Sequence, residues 1–295
     1  MPKTIDEKII RGVVEEQDAF LIAKQRAHVL AVEKAVVKLQ KKIINQMSKL
    51  STSKSGELLG LRTNLKQAQA LHASVLRLYR SEFNVKVKKL VEEFDEVLSM
   101  VRKGYRDLNA SIRFTGIDQT AMKVLQDGVY QNYLDISGAS QRKVIQAIYD
   151  QVIGGGEFSN LVAQIEGALT GSEIAVGTGR TLASLSRLYA RDMIMNFHQE
   201  VQLFKAEDAG MDSFLYIGDI IATTRDFCRR RVGRVYTKAQ IESWNFPWAG
   251  KSGPALTHRG GYNCRHHWQP VRKEWLGDKK RLDVADWNLE QVNKG

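Results

Sequence analysis

Two cysteines, Cys228 and Cys264, stand 36 residues apart in a stretch that also holds His258, His266 and His267. Cys228, His258, Cys264 and His266, with His267 as a substitute for the last, supply the thiolate and imidazole donors of a tetrahedral zinc site. The spacing is unlike that of a zinc finger, because there is no Cys-x-x-Cys pair. The same residues fit two other arrangements. The thiols pack as small buried hydrophobes with the histidines hydrogen-bonded around them, or they close a disulfide after exposure to oxidant. A Cys–His pair with Asn263 to orient the imidazole is also the minimum for an activated thiolate. Against that, Cys264 and His266 are near neighbours in the chain, and carboxylates for a two-metal nuclease are sparse around 258–268.

A second chemistry is phosphate contact. Arg229, Arg230, Arg231 and Arg234 form one basic cluster, and Arg259, Arg265, Arg272 and Lys273 form another among aromatic residues. Guanidinium forks match phosphate oxygens without reading base sequence. The alternative for Arg225 and Asp226 is an ion pair with each other. The charge is concentrated here. Of a net +11, residues 221–295 carry 15 Lys/Arg against 7 Asp/Glu, and residues 1–220 carry 29 against 26. A basic segment of this kind favours polyanions through counterion release. Gly177-Thr178-Gly179-Arg180 lacks the Lys-Ser/Thr that completes a phosphate-binding loop, so it reads as a loop before a helix.

Long helices must position these groups. From Lys3 to Phe246 there is no proline, and apolar residues recur at three and four, as in Val36, Leu39, Ile43, Met47 and Leu50, in Leu58, Leu61, Leu65 and Ala68, and in Leu90, Phe94, Val97, Val101, Tyr105 and Leu108. Each series lays one apolar stripe along a helix. The pattern predicts helices over 5–49 and 56–112, joined by a turn at Ser51–Gly56, then helices over 118–133 and 140–153 separated by a break at Ser137-Gly138. Gly154-Gly155-Gly156 forms a joint, and further helices follow at 157–169 and 180–209, the last stopped by Gly210. Ser213–Gly218 reads as a strand. All five tryptophans and three of the four prolines come after it. The expected fold is mainly α: a long N-terminal helical hairpin or bundle over 1–153, a smaller α+β module with short strands over 154–280, and a tail over 281–295.

The totals fit a protein of two or three domains. The 295 residues are 43% hydrophobic and 26% charged, which suits a packed core under an ordinary polar surface. No run approaches the roughly 18–20 apolar residues of a membrane span. Met1–Ile10 lacks the apolar stretch of a secretory signal, so folding in a cytoplasm is expected. Two cysteines are too few for a secreted disulfide scaffold.

Thr224, Arg225, Asp226, Cys228, Gly233, Tyr236, Pro254, His258, Asn263, Cys264, Arg265 and His266 together resemble the C-terminal region of Mu F-like phage minor head proteins, the head morphogenesis family. In that family a helix and a short strand lead into a Thr-Arg-Asp-like segment with a cysteine or histidine, then a glycine, then a Pro-His-Cys-Arg-type closure. The resemblance covers about residues 150–275. His266 stands where many relatives have another cysteine, and the N-terminal helices resemble theirs only in being long. The resemblance implies a low-copy structural component of a tailed-phage head, acting in head assembly and DNA packaging or delivery. Its partners would be portal, capsid or scaffolding proteins, with packaged double-stranded DNA as a further one. It would reside in the virion and, during assembly, in the host cytoplasm. No catalytic residue and no required cofactor follow from it, a structural zinc being the one candidate. The alternative is a zinc- or cysteine-dependent nuclease or hydrolase delivered with the genome.

Overall fold

The computed structural model describes residues 7–108, 116–171, 180–248, 251–261, 264–272 and 275. The fold is mainly α, with a small antiparallel sheet in the C-terminal region, as the periodicity predicts. Helix α1 spans Glu7–Met47 and α2 Leu61–Leu78; a π-helical turn, Tyr79–Asn84, leads into α3, Val85–Glu92. Then follow α4 (Phe94–Asp107), α5 (Gly116–Gly154), α6 (Phe158–Leu169) and α7 (Leu182–Asp208). The C-terminal elements are β1 (Ser213–Ile217), α8 (Asp226–Arg229), β2 (Val235–Thr237), α9 (Lys238–Glu242), β3 (Asn245–Trp248), β4 (Lys251–Pro254), α10 (Ala255–His258) and β5 (His267–Val271). Gly177–Gly179, Asn263, Lys273 and the tail 281–295 lie outside the described residues. No helix among the described residues is long and apolar enough to cross a membrane.

The chain forms two compact units, each discontinuous in sequence. One gathers 26–93 with 126–191, so both sides of the triple glycine belong to it. Its core holds Val36, Leu39, Ile43 and Met47 of α1, Val75 of α2, and Val144, Ile148 and Val152 of α5, all at most 1% exposed. Leu65, counted in the apolar stripe, is instead 40% exposed.

The helix expected over 56–112 is not continuous. Residues 56–60 are not helical: Leu58 N–H donates to Gly156 O (2.8 Å) and Phe158 N–H to Gly56 O (3.1 Å), which ties this segment to the loop after α5. Farther on, Val75, Tyr79, Phe83, Val87 and Val91 are all buried at a strict spacing of four. On an α-helix that spacing drifts about 40° per step away from the core. The wider π turn at 79–84 takes up part of the drift.

The expected break at Ser137-Gly138 is absent, and α5 runs through it. Ser137 Oγ donates to Asn84 Oδ1 (2.8 Å), and Ser140 Oγ is hydrogen-bonded to Tyr79 Oη (2.9 Å). Packed and satisfied serines do not compete with the helix backbone, so tertiary contact overrides local preference.

The other unit gathers 1–25, 94–125 and 192–295. Gly104 of α4 lies so close to α1 that a Cβ there would strike Gln17 and press on Val13. Phe94 and Phe197 pack at 4.8 Å, and Tyr105 Oη donates to Gln202 O of α7 (3.1 Å). Helix α7 starts under Thr181, whose Oγ1 accepts from Ser184 N–H, and ends at Gly210, φ 62°. The three-stranded sheet has the order β2-β1-β5, antiparallel throughout, and β3 and β4 form a separate hairpin. All five residues of β1 are buried, so both of its faces are covered.

Candidate metal centre

Strand pairing decides which groups share a face. Tyr216 of β1 lies opposite Trp268 of β5, and Ile217 lies opposite His267. Cross-strand partners point to the same side and neighbours along a strand to opposite sides. Tyr216 and Trp268 therefore share one face, their rings 4.3 Å apart, with Trp244 6.1 Å from Trp268. His267 falls on the other face, edge-on to His198 of α7 at 5.0 Å. His266, one residue before β5, stacks on the Tyr216 ring (5.5 Å, 11°).

On the Tyr216 face Cys228, Cys264 and His266 converge, all buried, with one ligand atom from each within 4.8 Å of the others. Cys228 Sγ lies 3.7 Å from Cys264 Sγ, and Cys264 Sγ lies 3.7 Å from His266 Nδ1. A disulfide needs a sulfur separation of about 2.0 Å, and both cysteines are free. The cluster is of a kind that holds a metal ion. His258, expected among the ligands, is not part of it.

Each element of the centre has a local reason. Helix α8 brings in Cys228. Cys264 follows a tight turn after α10, where Arg259 has φ 54°, Gly261 φ 88°, and Gly261 N–H donates to His258 O (2.8 Å). Gly260 is required by its neighbours: a Cβ would run into Cys228 Sγ and lie 2.9 Å from Cys264 Sγ. With no side chain in the way, Gly260 N–H donates to Cys264 Sγ (3.3 Å), and Arg225 Nη1 donates to Gly260 O (2.8 Å). The bond from Cys228, then His266 and the Arg259 guanidinium, hold the Cys264 thiol well below its ordinary pKa. Cys228 is pushed up by its bond to Cys264 and by burial.

Behind the sheet lies a buried polar layer that nothing in the residue pattern foretells. Gln199 Oε1 accepts from Trp268 N–H (2.8 Å), and Gln202 Nε2 contacts Gln17, His198 and Gln269 at 3.3–3.4 Å. His267 Nδ1 lies 3.3 Å from Asp18 Oδ1. Burial, then Arg259 and His266, lower His267 to about 3. Burial, then Asp219 and Glu15, raise Asp18 to about 8. Between those values the contact is a neutral carboxyl against a neutral imidazole, not an ion pair.

The arginines divide. Arg229, Arg230, Arg234 and Arg265 are exposed. Arg231 is half-buried, with its guanidinium 4.0 Å over Phe227 and 4.3 Å over Trp244, and it donates to Phe227 O (3.0 Å). Arg272 lies 5.9 Å from the Trp275 ring. Arg259, expected to contact phosphate, is fully buried and donates to Asn196 Oδ1 (2.8 Å), so it has no surface to offer DNA. Asp226 pairs with Arg230 (3.8 Å), while Arg225 reaches Gly260 O. Sequence reasoning missed Tyr216, Gly260 and Asp18. The signal for Tyr216 was its place in a β-rich run, which marks a strand and nothing about sulfur.

No protein-family model, curated protein or solved structure matches the chain.

Proposed function

We propose that the chain is a structural minor head protein of a tailed phage, acting in head assembly and DNA packaging or delivery through contacts with portal, capsid or scaffolding proteins and with packaged double-stranded DNA. One observation carries the reading. The two halves of the motif that resembles Mu F-like proteins, around Cys228 and around Cys264–His266, are far apart in sequence, yet they meet in one buried cluster. The four exposed arginines, 229, 230, 234 and 265, support contact with phosphate. On α1, Leu30 and Val37 are spaced by seven and 54% and 43% exposed, which suits docking on a protein partner.

Zinc is the ion this reading assigns to Cys228, Cys264 and His266, because two sulfurs and an imidazole match its preferred donors. Bound there, zinc would cross-link α8, the turn after α10 and the start of β5. Such a staple suits a region of short elements.

Mass spectrometry of purified particles of the encoding phage, beside their assembly intermediates, tests the head reading. The protein is expected in one or both, at low copy number. Its absence from both overturns the reading.

A further inference from the structure

We propose that Tyr216 is the fourth donor of the Cys228–Cys264–His266 centre, so that the ion has a closed coordination sphere and no position for a reacting water. The inference rests on the metal reading above and goes beyond it by separating a structural ion from a hydrolytic one.

The distances carry it. Zn–S bonds of about 2.3 Å and Zn–N or Zn–O bonds of about 2.0 Å give tetrahedral edges of about 3.8 Å between sulfurs and about 3.5 Å from sulfur to nitrogen or oxygen. The sulfurs are 3.7 Å apart, and Cys264 Sγ is 3.7 Å from His266 Nδ1. Tyr216 Oη lies 3.3 Å from Cys228 Sγ and 3.6 Å from Cys264 Sγ. The phenol oxygen therefore stands at the edge length of such a tetrahedron from both sulfurs, and the His266 ligand atom lies within 4.8 Å of each sulfur.

The hydroxyl is also held there. Tyr216 is 0% exposed in the middle of β1. Its ring is clamped between Trp268 across the ladder, the parallel His266 ring and the edge-on Phe227 ring at 5.8 Å. A ring gripped on these sides keeps its oxygen on the sulfurs.

Charge fits as well. A divalent cation with two thiolates is neutral, and a phenolate would leave one negative charge. Arg259, fully buried, has Nε and Nη1 without a hydrogen-bond partner among the described residues. A buried guanidinium is costly unless a countercharge lies near it. Hydrolytic zinc sites keep one position open for water, whereas structural sites take four donors from the chain. By this assignment the ion shapes the region and the hydrolase alternative loses its nucleophile.

The test uses the full chain loaded with Co(II) in place of zinc. The wild type is expected to bind one equivalent, show a tetrahedral thiolate-rich visible spectrum, perturb tyrosine ultraviolet absorption on loading, and ignore added azide. X-ray absorption of the zinc form should count two sulfur and two nitrogen or oxygen donors, all from the chain. Tyr216→Phe should bind about 10–100-fold more weakly or worse, and its spectrum should respond to azide as solvent enters the vacated position. Tyr216→His should restore indifference to azide. A wild type that takes up neither cobalt nor zinc overturns the centre and this inference together. A wild type that binds cobalt but admits azide, or a folded Tyr216→Phe with unchanged spectrum and affinity, overturns the inference alone. The wild-type azide and tyrosine readouts decide the matter even if the variants fail to fold.

Discussion

Adjacent histidines with opposite fates set the chemistry of this protein. His266 and His267 are chemically identical and consecutive, yet the strand alternation sends one to the sulfurs and the other to α7. His266→Ala should therefore abolish stoichiometric zinc binding, while His267→Ala and His258→Ala retain it, as read by metal analysis of the purified variants. Retention in His266→Ala would refute the ligand set. Asp18 supplies a separate test through pH. Its pKa rises from 3.8 to about 8 on folding, so the native state prefers the protonated form. The stability from Asp18 is complete below pH 4 and drains away as pH climbs toward 8, at up to about 1.4 kcal/mol per pH unit. Asp18→Asn should flatten that decline in urea midpoints measured across the window. An unchanged slope would mean that the carboxyl is not perturbed.

The helices show how packing rewrites local preference. Ser137-Gly138 has the composition of a break, but α5 continues because both Ser137 and Ser140 find side-chain partners. Gly138 itself is dispensable: an added Cβ would meet only Arg142 Nη1 at 3.6 Å, an ordinary contact. Gly138→Ala should raise stability by about 0.5–1 kcal/mol, since alanine loses less backbone freedom in a helix. Destabilisation in a denaturant titration would restore the break. The π turn follows the same logic from the opposite direction. There the five buried side chains from Val75 to Val91 keep a spacing of four, and the backbone widens so that the core can hold them.

For the molecule as a whole, the exposed and the buried arginines call for different measurements. Replacing Arg229, Arg230, Arg234 and Arg265 together by Gln should make the dependence of log K for DNA on log salt shallower, by about 0.9 for each phosphate that is no longer neutralised. Arg259→Gln should instead lower stability, because its guanidinium is fully buried. Gel-shift titrations over a salt series beside urea melts separate the two, and an unchanged slope in the quadruple variant would remove those arginines from DNA contact. Deleting 221–295 is a poorer probe, since it strips β1 of both neighbours, β2 and β5. The mainly α fold, the extent of α1 and α7, the strand at β1 and the crowding of cysteine, histidine and arginine near the C-terminus are all legible before folding. Each of these is written in composition or in local period, which a chain displays before it folds. Packing, by contrast, brings His266 and not His258 to the sulfurs, sets Tyr216 and Gly260 beside them, and makes Arg259 interior. Those choices depend on strand register and on close approach between residues tens of positions apart, and no spacing along the chain encodes them.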